Sequence, residues 1–158
     1  MSLEEQFTMV DGSVALRKLA EETGYRTALC PRIYVTLEPD ECPDLSHLEQ
    51  GYADVSAQDQ RSYQAQDRAR LAAYGDTWTM LGIRAVAVVY IPQGPRAFQR
   101  LIIASSGCWS VESDSGSDYL RSLAEDQLTE LRDTLAVLHV HEPATQTVEW
   151  DTEFQVAI

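Results

Sequence analysis

Apolar residues recur at helical spacing in three segments of the chain, and these segments predict three helices. The longest pattern runs in steps of three and four residues and predicts an amphipathic helix over about 118–138. Its members are Leu120, Leu123, Ala124, Leu128, Leu131, Leu135 and Leu138. A short helix is predicted between a cap at Asp11 or Ser13 and Gly24. The third, over about 59–74, has a thin apolar face and is therefore expected on the surface.

Alternating and β-branched segments predict the strands. Apolar residues alternate over 33–37, which predicts a strand. A β-branched run at 77–91, a Pro- and Gly-containing turn and a second strand-like run at 97–106 together predict a β-hairpin. The segment 108–112 predicts a short strand. Alternation over 147–158 predicts a half-buried strand with a row of carboxylates on its open face.

Together these elements predict an α+β fold. We expect an antiparallel sheet of three to five strands, with the helix at about 118–138 packed on one face. The chain has 158 residues, which is the usual size of one domain, so a single domain over 1–158 is expected. The segment at about 39–58 is rich in Asp, Glu, Ser and Pro and predicts an acidic loop.

The chain is strongly acidic, with 25 carboxylates against 12 basic residues and a formal net charge of −13 at pH 7. The charge is uneven: residues 1–60 carry −8, residues 61–111 carry +4 and residues 112–158 carry −9. Such a charge favours solubility and steers a protein towards cationic surfaces. It argues against direct binding to nucleic acid or to an anionic membrane, because both carry like charge.

Neither a targeting segment nor a membrane span is expected. The N-terminal residues MSLEEQF carry two acids and no apolar run, and no stretch approaches the roughly 18 apolar residues of a membrane helix. Cys30, Cys42 and Cys108 are odd in number and share no regular spacing, which disfavours a disulfide framework. The sequence therefore predicts a cytoplasmic protein.

Few residues have the spacing of a metal or catalytic site. His139 and His141 flank Val140, so in an extended segment their rings share a face about 7 Å apart. Together with one of Glu142, Cys30, Cys42 or His47 they offer zinc ligands. The alternative is that both lie at the end of the long helix, near its negative pole. Nucleotide-binding, nucleophile-elbow and zinc-protease motifs are missing. We therefore predict no catalytic residue, no metal site and no cofactor, with a metal-dependent enzyme as an alternative.

A carboxylate-rich turn precedes the long helix. Glu112, Asp114 and Asp118 lie within seven residues, and Ser115 stands three residues before Asp118 in the spacing of a capping box. A calcium loop counted from Asp114 fails, because it lacks a ligand at the third position and a glycine at the sixth. The sequence therefore predicts that these residues cap the helix.

Ordered carboxylates form the predicted partner-binding surface. On the alternating strand, Glu149, Asp151 and Glu153 would stand about 6.6–6.8 Å apart, similar to neighbouring phosphates of a nucleic-acid strand. The outer face of the long helix would extend this pattern into a surface that fits a basic groove. The predicted set is Glu149, Asp151, Glu153, Glu125, Asp126, Glu130, Asp133, Glu112 and Asp114. The alternative is a solvated edge strand that carries charge against aggregation.

Two sequence motifs lie between the start of the predicted hairpin and the long helix. The first, W-x-M-x-G-I-x-A, spans 78–85, and the second, S-S-G-C-W-S-V-E-S-D-S, spans 105–115. They resemble small uncharacterised proteins of bacteriophages and other mobile elements, in which the second motif reads S-G-G-L-W-G-I-E-S-D-S before a leucine-striped helix. The resemblance covers about residues 66–138. Ser106, Cys108 and Ser110 depart from its pattern, and Val111 stands where the pattern has Ile.

The resemblance implies a phage or mobile-element protein that acts in the cytoplasm of a bacterial host. Small acidic proteins of such elements often serve against host defences, including anti-restriction and anti-CRISPR mimics of DNA. We therefore expect a non-enzymatic inhibitor whose acidic surface occupies the basic surface of a host nucleic-acid-binding protein. The alternatives are a phage accessory or assembly protein that forms homo-oligomers, and a metal-dependent enzyme. The strand at about 145–158 looks like an addition to the shared part.

Overall fold

The computed structural model describes residues 12–94, 97–143 and 146–150. These residues contain three α-helices, namely α1 (Gly12–Glu22), α2 (Ala57–Ala72) and α3 (Ser117–Val137). The strands of the sheet are β1 (Leu29–Pro39), β2 (Met80–Pro92), β3 (Phe98–Ala104), β4 (Cys108–Glu112) and β5 (Val148–Trp150). The predicted α+β fold is confirmed. Among the described residues, no helix is long and apolar enough to cross a membrane.

The central strand of the sheet is β2. It pairs antiparallel with β1 on one side, and with β3 and then β4 on the other. The predicted β2–β3 hairpin is therefore confirmed. The pair of β1 and β5 is parallel, which differs from the antiparallel sheet that we predicted. Two strands can pair in parallel only when a long crossover connection separates them in the chain. The chain between β1 and β5 is long and includes α3, which is the last element before β5.

The leucine stripe of α3 packs on one face of the sheet, as predicted. Its buried members are Leu120, Ala124, Leu128, Leu131 and Leu135. They contact alternate residues of β1 and β2, namely Ile33, Val35, Leu37, Ile83, Ala85, Ala87 and Val89. Burial of each large apolar side chain contributes about 1.5–3 kcal/mol to folding. The stripe ends sooner than predicted, because Leu138 follows the last helical residue and is 53% exposed.

A β-bulge near the start of β1 lets this strand contribute to two cores. The register with β2 shifts by one residue between Leu29 and Arg32. This shift reverses the alternation of faces, so Leu29 packs with α1 whereas Ile33 packs with α3. The α1 core comprises Leu16, Leu19, Ala20 and Leu29, with Tyr25, Tyr90 and Phe98 against it.

Helix α2 lies on the surface, and none of its side chains is buried. Its thin apolar face predicts this position. Ser56 caps its first turn by accepting a hydrogen bond from the Asp59 amide. Between β1 and α2 the chain forms a single 3-10 turn, Ser46–Leu48. The Tyr52 hydroxyl donates to the Asp67 carboxylate at 2.5 Å and so ties this connection to α2.

Candidate interaction surface

The structure divides the predicted acidic residues into two groups. Four of them bind partners within the protein: Glu112, Asp114, Glu130 and Glu149. Three face solvent on α3: Glu125, Asp126 and Asp133. Asp151 and Glu153 lie outside the described residues. The two groups have different chemistry, because a carboxylate that is already paired offers little to a partner.

The carboxylates of Glu112 and Asp114 bind Arg70 of α2. Both guanidinium Nη atoms donate to Asp114, at 2.6 and 2.7 Å, and Nη2 also donates to Glu112 at 2.8 Å. The guanidinium carbon stacks 4.0 Å from the ring centre of Trp78, and the indole N–H donates to the Arg70 carbonyl at 2.8 Å. Hydrogen bonds from Arg70 hold the pKa of Asp114 below its ordinary value. This Arg70 cluster therefore joins α2 to the end of β4 and to the segment just before β2.

The prediction that these carboxylates cap α3 is wrong. The N-cap residue is Gly116, at φ +92°, and no side chain makes a capping hydrogen bond there. A positive φ suits glycine, which has no Cβ atom, and this is why Gly116 and not Ser115 is the N-cap residue. Glu112 and Asp114 pair with Arg70 instead, whose guanidinium donates to both carboxylates in a bidentate arrangement.

Glu130 and Gln127 of α3 cap the break between β3 and β4. The Ser106 amide and hydroxyl donate to the two Glu130 oxygens, at 2.7 and 2.9 Å. The Gly107 amide donates to Gln127 Oε1 at 2.9 Å. Backbone groups that leave a strand ladder need other partners, and α3 supplies them. Glu130 therefore stabilises the fold in addition to lying on the predicted surface.

Glu149 neutralises a buried arginine. Its Oε2 accepts a hydrogen bond of 2.7 Å from Arg32 Nε, and Arg32 is only 8% exposed. A buried charge without a counter-charge is costly, so the loss of the Glu149 carboxylate should destabilise the β1–β5 edge. On either side of Glu149, Val148 and Trp150 pack against the main core. The predicted alternation of this strand is confirmed over the three residues that the structure describes.

The outer face of α3 carries carboxylates that have no partner in the described part of the chain. Asp118 joins Glu125, Asp126 and Asp133 there, and all four side chains are exposed. Asp118 and Glu125 lie along one line of the helix, and Asp126 and Asp133 lie along a second line about 80° round the axis, with the members of each pair about 10.5 Å apart at 1.5 Å per residue. The two arginines of α3 point elsewhere: Arg121 lies over the Trp150 ring, and Arg132 lies 3.9 Å from Glu142.

Trp109 of β4 is held over a glycine of β2. A Cβ atom at Gly82 would lie 2.3 Å from two carbons of the indole ring, and one at Gly107 would lie 2.8 Å from its Nε1. The indole N–H donates to the Ser106 carbonyl at 3.3 Å. Although seated in this way, Trp109 is 41% exposed. Trp109 was not among the residues that we predicted to be functional. The sequence feature that points to it is that Gly82 and Trp109 each lie in one of the two motifs.

A surface cleft of about 540 Å³ opens beside Trp109. Its other lining residues are Glu38, Pro39, Asp40, Glu41 and Cys42. Asp40 Oδ2 accepts hydrogen bonds from the amide and hydroxyl of Ser110, at 3.1 and 3.3 Å, and so ties β4 to the end of β1. Glu38 lies 3.5 Å from Arg84. Glu41 is exposed and has no partner in the part of the chain that the structure describes.

The histidines and cysteines form no metal site among the described residues, where no group of three or more His, Cys, Asp or Glu side chains could hold a metal ion. His139 lies just after Leu138, the C-cap residue of α3, and His141 pairs through its backbone with Ala28 and Cys30 of the β1 region. Burial raises the pKa of the Cys30 thiol to about 12, so this thiol is unreactive at neutral pH.

Comparison with other proteins gives no match. No family model, curated protein or solved structure matches this chain. The resemblance to mobile-element proteins therefore stays a prediction, and function is inferred from the side chains themselves.

Proposed function

We propose that the protein is a non-enzymatic inhibitor from a phage or mobile element, and that it binds a basic nucleic-acid-binding surface of a host protein. The observation that supports this most is the outer face of α3. Asp118 and Glu125 form one row there, and Asp126 and Asp133 form a second, without a counter-charge in the described residues. A rigid helix that presents regularly spaced carboxylates is complementary to a groove lined by Arg and Lys.

The surface that we propose is smaller than the one predicted from the sequence. Glu112, Asp114 and Glu149 already have arginine partners, so binding would fall to the acids of α3. The overall charge of −13 adds long-range attraction, which raises the rate of association with a cationic partner. Exposed charges are screened by salt over about 8–10 Å at physiological ionic strength, so the interaction should weaken as salt rises.

A competition assay tests this proposal. Purified restriction endonucleases and CRISPR effector complexes are incubated with labelled DNA and increasing amounts of the protein at 50 and 200 mM salt. We expect the protein to displace DNA from at least one of them, and less effectively at the higher salt. The double variant Asp126→Asn/Asp133→Asn should be about tenfold weaker, as expected for the loss of two charged contacts.

The matched control is Glu21→Gln/Glu22→Gln, which changes net charge equally but lies at the end of α1. This control should inhibit like the unmodified protein. Equal weakening of both double variants would mean that net charge acts without a defined face. Failure to displace DNA from any of these complexes would refute the proposal.

A second candidate function, self-association, is favoured by β3. This strand is at the end of the sheet order in the described residues, and Leu101 and Ile102 are 37% and 48% exposed. Between Asp76 and Glu112 the sequence contains no carboxylate, so this edge avoids the repulsion between acidic surfaces. Exposed apolar edge strands pair readily with other chains. Sedimentation at 0.5 M salt would reveal a dimer that Ile102→Lys abolishes; a monomer at every concentration removes this candidate.

A further inference from the structure

We infer that two copies of this chain pair through β3, antiparallel and centred on Ile102, so that their sheets become continuous. The inference rests on self-association, the second of the proposed functions, and gives it a surface, a register and a geometry. Three features of this edge favour a strand of a second copy as its occupant: the direction of the backbone groups, the match between side chains and the distribution of charge.

The backbone of β3 presents hydrogen-bonding groups along its outer edge. The Ser105 amide donates to the Ala85 carbonyl at 2.9 Å, which continues the β2–β3 ladder. Bonded and unbonded pairs alternate in an antiparallel ladder, so the odd-numbered residues of β3 bind β2 and the even-numbered ones point away from it. Ile102 and Ala104 therefore direct their amide and carbonyl groups outwards, where the sheet order of the described residues ends. Such groups are a template for another strand.

Most of the features that keep edge strands apart are missing from β3. Natural edges are usually protected by charge, proline or a bulge. The register of β3 with β2 runs without a shift over all seven of its residues. It contains no proline and no carboxylate, and its one charged residue is Arg100. The strand at the other end of the sheet order, β5, carries Glu149. Of these two edges, β3 is therefore the one that suits pairing.

The side chains of β3 match a copy of themselves in one register. When Ile102 lies opposite its own copy, Leu101 lies opposite Ile103 of the second molecule. Arg100 then lies opposite Ala104, so the two arginines do not meet. Ile102 is 48% exposed and Leu101 is 37% exposed, and both become covered in this register. Apolar pairs across antiparallel strands are stabilising, whereas like charges directly opposite each other are destabilising.

The distribution of charge favours the same edge. Two molecules that each carry a net charge of −13 repel one another over most of their surfaces. Between Asp76 and Glu112 the sequence contains no carboxylate, and this segment includes all of β2 and β3. Two copies therefore meet the least repulsion when they approach through β3. Salt screens the remaining repulsion and should strengthen the dimer, which is opposite to its effect on binding through α3.

The apolar end of α3 lies on the side of the helix that faces this edge. Glu130 binds Ser106, two residues after the end of β3, so this side of α3 faces β3. Val137 follows Glu130 by seven residues, about two helical turns, and so lies on the same side. Val137 and Leu138 are 77% and 53% exposed, and with Glu130 they line a groove of about 340 Å³. Pairing through β3 turns this groove towards the second copy.

The same register places both α3 helices on one face of the continuous sheet. Leu101 points to the α3 side, because its β2 partner Val89 belongs to that core. Opposite residues of an antiparallel pair share a face, so the second copy has its α3 on that face too. Since α3 packs on β1 and β2, four strand spacings separate the two helices, or about 19 Å at 4.8 Å each. The acidic faces of both copies then lie on one side of the dimer.

Sedimentation equilibrium at about 0.1 and 0.5 M salt tests the pairing. We expect a dimer whose dissociation constant is lower at the higher salt concentration. Ile102→Lys removes an apolar contact and places two like charges opposite each other, so it should raise the dissociation constant about tenfold. The matched control is Val55→Lys, which makes the same change of charge at a 40% exposed position before α2 and should leave the dimer unchanged. Far-UV circular dichroism checks that both variants are folded.

Disulfide cross-linking tests the register. Cys42→Ser removes the exposed thiol, and in this background Leu101→Cys and Ile103→Cys are mixed and oxidised with glutathione disulfide. Opposite residues that exchange no hydrogen bonds have Cα atoms about 4.5 Å apart, which a disulfide spans. The mixture should therefore give a cross-linked dimer. Each variant alone should give little, because its two cysteines would lie about 8 Å apart.

The outcomes separate the β3 dimer from the proposed functions. A monomer at both salt concentrations would overturn the inference together with self-association, and would leave the acidic-surface proposal standing. A dimer that tolerates Ile102→Lys, or a mixture that does not cross-link, would overturn pairing in this register and leave self-association through other contacts. A cross-linked dimer that leaves DNA binding by the defence complexes undisturbed would overturn the inhibitor proposal and leave the β3 dimer.

Discussion

The carboxylates of the Arg70 cluster and those on the outer face of α3 are the same chemical group in opposite settings. Asp114 and Glu112 share one guanidinium that is stacked on Trp78. Asp126 and Asp133 are exposed and have no partner in the described residues. In the sequence the two pairs look alike, because each consists of two acids in or just before a helix. A count of acidic residues therefore does not measure the charge that is available to a partner.

The two settings also differ in what they contribute to stability. Charges bound to Arg70 attract a group of the same molecule and join α2 to the sheet. Charges on α3 repel one another slightly, so their removal should cost little or even stabilise. We therefore expect substitutions at the Arg70 cluster to change the free energy of unfolding, and substitutions on α3 to change binding instead.

The largest effect is expected for Trp78→Ala. Trp78 is 2% exposed, supports the Arg70 guanidinium and donates to the Arg70 carbonyl. Removing a buried aromatic side chain leaves a cavity and should lower the free energy of unfolding by about 3–5 kcal/mol, measured by urea denaturation. Trp78→Phe, which keeps most of the packing, should cost clearly less. Similar losses for both variants would mean that the indole N–H bond, and not packing, stabilises this cluster.

A smaller effect is expected for Asp114→Asn, and it should depend on pH. The side chain is half exposed, so its ion pair contributes only about 0.5–1 kcal/mol at pH 7. Arg70 lowers the pKa of Asp114 below 3.8 in the folded state, so the unfolded chain takes up the proton first as pH falls. The contribution is therefore complete well above pH 3.8 and is lost below it.

Urea midpoints of the protein and of Asp114→Asn between pH 6 and pH 2.5 check this expectation. The difference between the two curves should be constant down to about pH 5 and should shrink below 3.8. A difference that persists unchanged at pH 2.5 would contradict a role for the charge of Asp114.

The smallest effect on stability is expected for Asp126→Asn/Asp133→Asn. Both side chains are exposed and bind nothing in the described part of the protein, so the free energy of unfolding should change by less than about 0.5 kcal/mol. Thermal denaturation at low salt would detect a larger change. A loss of 1 kcal/mol or more would show that these acids stabilise the fold, and would remove the contrast with the Arg70 cluster.

Much of the fold could be predicted because it depends on local patterns. The spacing of leucines predicts α3 within one residue at each end, and the two β-rich runs predict the β2–β3 hairpin. The bulge in β1 and the parallel pairing of β5 could not be predicted in this way. Both depend on which strands meet in space, and apolar alternation is the same for parallel and antiparallel partners.

The candidate surface was less predictable than the fold. Sequence order placed Glu112 and Asp114 next to α3, and capping was the natural local explanation. Arg70 lies more than 40 residues away, so its pairing with them is a long-range contact. The contact of Trp109 with Gly82 could not be predicted for the same reason, because the two residues meet only when β2 and β4 pair.

The sequence by itself determined the charge of −13, the α+β class and the faces of α3, because composition and helical period are local properties. Only the tertiary structure decided which acids are paired, since a carboxylate is neutralised by neighbours in space and not by neighbours in the chain. Long-range contacts therefore divide the acids into carboxylates that are paired within the fold and exposed carboxylates on α3, which we propose as the surface for a basic partner.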